Sequence, residues 1–501
     1  MSHNKKYDVI VIGAGLGGLT TAALLSKYKY SVLLLDRHYV TGGYSTAFER
    51  KGFEFDASIH WINNIELIKQ VLKRLDALDR IEFKPFNPLT RIISPSYEIM
   101  LTFDVKDFQN QMQKQFPHEK ENIARFVDEA VRFADDINLL TKSTFKYMSY
   151  LDFTRFGLMY ICNKFPLIKK YSGYTAEQVI NSYFRDSKLR TLIHSLGTTP
   201  DSSIYPIFCR IGWASEGNYF YPSKGGGNAL SQLLTDICNE NGTEIKLSTE
   251  VEKIIIKDGA ACGIMTSDGT VYNGRFIVSN ADALLTYNKL IGHENLDKKF
   301  VEAINARKKY PSFCMISMGT DYDLKSKGYK GETITYNPCD DIDHLMGNDL
   351  SINRKFIHLR SMRDNSLAPE GFNTISVGVR LPYSYKNYWM TGPNRERGAE
   401  YYKLKEEVIE QVLDNISNVL PDLKNHVKVR DLATPITYER YTLNSEGSMM
   451  GWEESTGGIR RKEPIKNFQR TGHWTFPGGG TPRVLISGMI VSDLIRKYLY
   501  I

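Results

Sequence analysis

Apolar residues along this chain follow two different rhythms. In "YDVIVI", Tyr7 to Ile12, and in "SVLLL", Ser31 to Leu35, they run almost without interruption and include β-branched types. Such runs are expected of short strands buried on both faces of a parallel sheet. Leu19 to Tyr28, between them, reads as a helix, so the chain opens as strand, turn, helix and strand. Further on, "GGGNALSQLLTDICNENG" places Ala229, Leu230, Leu233, Leu234 and Ile237 on one helical face. Short strands follow, separated by Asp258-Gly259 and Asp268-Gly269, the turn signals of a β-meander. "GRFIVSNAD" reads as another strand of the main sheet, and "YYKLKEEVIEQVLDNISNVL" as an amphipathic helix with Leu404, Val408, Val412 and Ile416 as a core stripe. A last helix is expected over Val484 to Tyr498.

With 501 residues the chain exceeds one ordinary core, so two or more lobes are expected. A hydrophobic share of 42% and a charged share of 24% describe a soluble globular protein, and no apolar run reaches the roughly 18 residues of a membrane-spanning helix. The opening run is not read as a secretory signal. Asp8 interrupts it, three glycines break it, and Lys27 and Lys29 stand where cleavage would occur. The net charge of +7 is spread along the chain, which argues against a nucleic-acid partner. Cys162, Cys209, Cys238, Cys262, Cys314 and Cys339 form no C-x-x-C pair, against a zinc site, a redox dithiol or a disulfide framework. No metal is expected, and a cytoplasmic setting is the default. Aromatic residues, at 12%, serve either bulky packing or the walls of a lipophilic tunnel.

The turn after the first strand carries the chemistry. Gly13, Gly15 and Gly18 form G-x-G-x-x-G, with Asp36 at the end of the second strand. Gly13 permits a tight turn, Gly15 lets a diphosphate approach the backbone, and Gly18 lets the helix pack against the strand. The helix N-terminus offers unpaired N–H groups to phosphate, and Asp36 is placed to accept from a ribose diol. A dinucleotide site follows. In "RHYVTGGYSTAFERKGFEFDASIHWI" a second backbone-exposing turn, Gly42-Gly43, comes where a plain NAD unit would continue into a helix, which favours FAD.

The spacing from Gly13 through Asp36 and Gly42-Gly43 to "GFEFDASIHWI" resembles the FAD-binding region of the phytoene desaturase, carotenoid isomerase and retinol saturase family, within the amine-oxidase-like flavoproteins. "YPSKGGGNALSQLLTDICNENGTEIKLSTEVEKIII", "VSNAD", "SLAPEG" and "TGHWTFPGGGTPRVLISGMIVSDLI" extend the similarity along most of the chain. Tyr44 stands where many relatives carry Arg, and "NFQRT", before Gly472, lacks their apolar strand.

The resemblance implies an α/β, Rossmann-type FAD domain of the glutathione-reductase-like kind, built from 1–80, 223–290 and 461–501. A mixed α+β substrate domain from 81–222 and 291–460 is inserted in it. It implies cofactor contacts at Gly13, Gly15, Gly17, Gly18, Asp36 and Arg37, at Gly42, Gly43, Tyr44 and Ser45, and at the Val251 backbone near the adenine. Gly472, Gly479, Gly480, Thr481, Pro482 and Val484 would flank the flavin. His60 is the candidate for donating a proton or orienting a substrate, and Trp61, His473 and Trp474 are substrate-side candidates; all four also admit plain packing roles. The activity implied is desaturation, saturation or isomerisation of a polyene such as a carotenoid or retinoid. An amine oxidase, or a prenyl-lipid-binding protein without flavin chemistry, are the competing readings. No second glycine motif or redox dithiol identifies an electron donor or acceptor. "LDFTRFGLMYICNKFPLIKKY", apolar with interspersed cations, either lies at a membrane interface as a peripheral contact or forms a buried wall.

Overall fold

The computed structural model describes residues 6–58, 61–146, 164–197, 199–453 and 463–499. Two seven-stranded sheets organise them. In the first, Lys6–Ile12 lies between Val32–Leu35 and Val271–Ser279, all parallel, with Glu244–Lys246 extending the Val32 side. Every residue of Val32–Leu35 is buried, as its unbroken apolar run requires. Leu16–Lys27, Ile65–Arg74, Ala229–Glu240 and Thr481–Leu499 share one core with this sheet. The expected meander is present: Val251–Lys257, Ala260–Thr266 and Val271–Ser279 pair antiparallel in succession.

Three local outcomes differ from the sequence reading. The first helix begins at Leu16, not Leu19, because Gly15 is extended and Gly17 and Gly18 enter the first turn despite their poor helix propensity. The last begins at Thr481, with Pro482 in the first turn, where its missing N–H costs nothing. "NFQRT" does contain a strand, Phe468–Arg470, parallel to Ile277–Ser279. Phe468 alone of its side chains is fully buried, so no apolar run marks it.

The second sheet runs Val427–Ala433, Cys314–Thr320, Asn373–Val379, Lys355–His358, Thr333–Tyr336, Thr90–Ile93 and Glu98–Leu101. The helix Ala399–Ile416 covers one face, burying Leu404, Val408, Val412 and Ile416. A helical layer, including Lys120–Lys146 and Tyr205–Ser215, packs around Phe126, Phe133, Phe184 and Phe208. Much of the aromatic content is therefore core. Most of the cationic apolar segment 151–171 lies outside the described residues. Among the described residues no helix is long and apolar enough to cross a membrane, and no cluster of His, Cys, Asp and Glu could hold a metal ion.

Candidate functional site

At the end of Lys6–Ile12, Gly13 takes a φ of +96° and donates its N–H to the Leu35 carbonyl at 2.7 Å. Asp36 then fastens the turn: one carboxylate oxygen accepts the Ala14 N–H at 2.7 Å and the other the His38 N–H at 2.8 Å. Burial pushes its pKa up, and these two N–H groups oppose the shift. The second glycine turn docks on the first. Gly42 donates to the Ala14 carbonyl at 2.8 Å and bridges to Gly15, bringing both backbones to one surface.

The C-terminal segment closes the same region. Thr471 donates to the Ser279 carbonyl at 2.9 Å, and the Gly472 N–H to Ser487 Oγ at 3.1 Å. The Asn280 amide is boxed by three glycines. A Cβ at Gly15 or Gly17 would lie 2.7 Å from its side-chain N or O, and one at Gly472 2.4 Å from its O. In the sequence Asn280 stands out only as part of "VSNAD", at the end of the strand "GRFIVSNAD". Its signal is a polar residue closing a buried strand, which has a meaning only once the first and last blocks are seen to meet there. Asp282 in the same motif is buried, accepting from Leu285 N–H at 2.7 Å and Ser445 N–H at 2.8 Å.

These turns open on a cavity of about 900 Å³. Gly13, Gly15, Gly17, Asp36, Arg37 and Val251 line one part of it. Gly42, Gly43, Tyr44, Ser45, Gly472, Gly480, Thr481, Pro482 and Val484 line it further along, with Trp61 and His473. Beyond them the wall is the open face of the second sheet, with Phe313, Met315, Ser317, Phe356 and His358. The volume stands near the top of the roughly 300–1,000 Å³ range of small-molecule sites, as an extended ligand requires.

Three expected residues are not on the wall. Gly18 serves packing, since its Cβ would stand 2.0 Å from the Gly13 carbonyl oxygen. Gly479 lies against Met450. Trp474 is fully buried, donates Nε1–H to Asn444 Oδ1 at 2.6 Å and meets Trp452 edge-on at 4.8 Å. It braces the loop and does not line the cavity. His60 lies outside the described residues. The Tyr44 hydroxyl donates toward the Gly447 and Ser448 carbonyls at 3.2 and 3.0 Å, so this residue ties down the 447–448 loop. Arg37 is tethered too, to the Arg440 carbonyl at 2.7 Å. His473 Nε2 has no hydrogen-bond partner among the described residues, and burial pulls its pKa down to about 4, leaving a neutral imidazole.

Replacing Asp36 tests the turn. Asp36→Ala removes a charged acceptor of two N–H groups, worth about 1.5–3 kcal/mol each way it is used. Dinucleotide retention, measured by equilibrium dialysis, is expected to fall about 10- to 100-fold. Unchanged retention would remove Asp36 from the site.

Comparison with known proteins agrees with this geometry. Residues 11–75 match the model of an NAD(P)-binding Rossmann-like domain. Prolycopene isomerase of Daucus carota is 26% identical, covering 100% of this chain and 81% of the carrot protein. The 4,4'-diapophytoene desaturase of Methylomonas sp is also 26% identical, over 99% and 96%. All-trans-retinol 13,14-reductase of Danio rerio is 24% identical over 93% and 82%. Along nearly its whole length the chain is thus similar to a carotenoid isomerase, a diapophytoene desaturase and a retinol reductase. The fold of this chain is shared with an oxidoreductase of Methanosarcina mazei, at a TM-score of 0.64 with 19% identity, covering 98% of this chain and all of that one. Putrescine oxidase gives 0.66 with 12% identity over 99% and 100%.

Proposed function

We propose that this chain is an FAD-dependent oxidoreductase acting on C–C bonds of a lipophilic polyene, by desaturation, saturation or isomerisation. The observation that carries the reading is one continuous cavity with a dinucleotide turn in one part and an apolar sheet face in another. In this reading 1–80, 223–290 and 461–501 form the cofactor lobe, and 81–222 with 291–460 the substrate lobe.

The residues fit FAD. The glycines at 13, 15, 42 and 43 expose backbone to the cavity, and the N-terminus of Leu16–Lys27 suits a diphosphate. Asp36 would take a ribose and the Val251 backbone the adenine. Gly480, Thr481 and Val484, at the start of the last helix, would flank the ring system, where the helix dipole favours negative charge. FAD supplies the acceptor or donor of two electrons, and the chain supplies position and dryness. Phe313, Met315 and Phe356 would hold the apolar substrate and exclude water.

The test is direct. Purified protein should be yellow and retain FAD through gel filtration. Oxidised with an electron acceptor present, or reduced with dithionite, it should change the absorption of a polyene. Protein reconstituted with FAD that stays colourless would instead be a lipid carrier. Peroxide release with a primary amine, without polyene turnover, would make it an amine oxidase.

A further inference from the structure

The strand that leads into the C-terminal glycine turn ends in a buried cation. Arg470, the last residue of Phe468–Arg470, places Nε 3.2 Å from Glu463 Oε1, the two side chains being 11% and 4% exposed. The other Glu463 oxygen accepts the Tyr287 hydroxyl, and the guanidinium lies over the Tyr287 ring at 4.8 Å. Tyr287 shares an apolar core with Ile291, Ile465 and Phe468. It belongs to the π-helical stretch Thr286–Gly292, a rare geometry that is frequent at functional sites.

A buried triad of this kind adds little net stability, because desolvating its charges costs about what their attraction returns. What it supplies is a guanidinium fixed in place. Arg470 uses its second edge locally: Nη1–H donates to the Trp474 carbonyl at 3.0 Å, closing a bracket over Thr471, Gly472 and His473. One side of this turn is pinned by Thr471 N–H to the Ser279 carbonyl and by Gly472 N–H to Ser487 Oγ. The other side is held at Trp474, its main chain by Arg470 and its indole by Asn444. Gly472 and His473, between the two, line the cavity together with Gly480 and Thr481 at the start of the last helix.

Resting on the FAD reading above, we infer that Arg470 is a positioning residue for the cofactor. Held by Glu463 and Tyr287, it fixes the Gly472–His473 turn against the ring system and so sets how tightly reduced FAD is held relative to oxidised FAD. The turn carries the chain into Thr481–Leu499, and Gly472 is tied to that helix through Ser487. The N-terminal dipole of the helix favours the negative charge that the ring gains on reduction. A turn free to drift lets the ring move off that dipole, a loss felt mainly in the reduced form. Because Glu463 neutralises Arg470, replacing both changes position and leaves the net charge of the site as it was.

The test measures the midpoint potential of the FAD-loaded protein by dye-equilibrated reduction. Arg470→Met/Glu463→Leu removes the pair without stranding a charge. It should keep FAD, yet hold the reduced form about 10-fold less tightly relative to the oxidised, a midpoint about 30 mV more negative. Arg470→Lys keeps the ion pair with Glu463 but lacks the fork that also reaches the Trp474 carbonyl. It should shift the midpoint the same way, and it carries the comparison if the double variant fails to fold. As a control, Arg91→Met/Glu332→Leu removes another buried pair, 2.9 Å apart, neither member of which lines the cavity; its midpoint should match wild type. An unchanged midpoint in either FAD-loaded Arg470 variant, or an equal shift in the control, would overturn the inference while leaving the FAD reading intact. Wild type unable to retain FAD would defeat that reading and this one together.

Discussion

Asp56→Asn is expected to destabilise the protein by about 3–5 kcal/mol, the cost of stranding one member of a buried ion pair. Arg360 Nε lies 3.1 Å from Asp56 Oδ2, with the two side chains only 6% and 1% exposed. The other Asp56 oxygen accepts the Gly227 N–H at 2.6 Å, and Asp364 accepts the neighbouring Gly226 N–H at 3.2 Å. One carboxylate therefore joins three segments: the strand Phe53–Asp56, the glycine run before Ala229–Glu240, and the 360–364 turn beside the second sheet. Asparagine keeps the shape and loses the charge, so the buried Arg360 loses the carboxylate 3.1 Å from its Nε. Denaturant unfolding of the two single variants and of Asp56→Asn/Arg360→Met measures the coupling. The double variant should recover much of the loss, since the isolated charge is what costs most. A single-variant loss below 1 kcal/mol would contradict this account.

That pair also marks the limit of what the sequence discloses. The opening turn was legible because its parts are local: two buried runs, glycines at fixed spacing and an acid on the second strand. "GFEFD" carries a family resemblance, but nothing local in it says that Asp56 faces an arginine from beyond residue 350. A row of polar residues opposed in register on the second sheet was hidden for the same reason. Ser317, His358, Ser376 and Asp431 sit in four separated strands, and only their register aligns them. Aromatic composition left two uses open, and the structure divides them: Phe126 and Phe208 pack the helical layer, whereas Phe313 and Phe356 front the cavity. Trp474 is a substrate-side candidate in the sequence because it flanks the C-terminal glycine loop, with packing as the alternative. It is held instead by Asn444, a partner that sequence proximity could not suggest.

Gly18→Ala and Gly15→Ala should separate folding from binding within one motif. A Cβ on Gly18 would stand 2.0 Å from the Gly13 carbonyl oxygen and 3.2 Å from Asn280 Cβ. The first neighbour is backbone, held by the Gly13 N–H bond to Leu35 at 2.7 Å, and cannot yield without moving strand or helix. The expected cost lies at or above the roughly 1–3 kcal/mol of ordinary overpacking, with loss of the dinucleotide as a consequence. A Cβ on Gly15 meets only the end of the Asn280 side chain, at 2.7 Å, and no backbone atom. Gly15→Ala should therefore melt close to wild type yet hold the dinucleotide poorly, because the methyl group occupies the surface the diphosphate must reach. Thermal melting of both proteins without cofactor, followed by titration with FAD, distinguishes the two. If Gly18→Ala melts like wild type, the close approach of helix and strand at that position is wrong. If Gly15→Ala binds FAD normally, the diphosphate does not lie over Gly15.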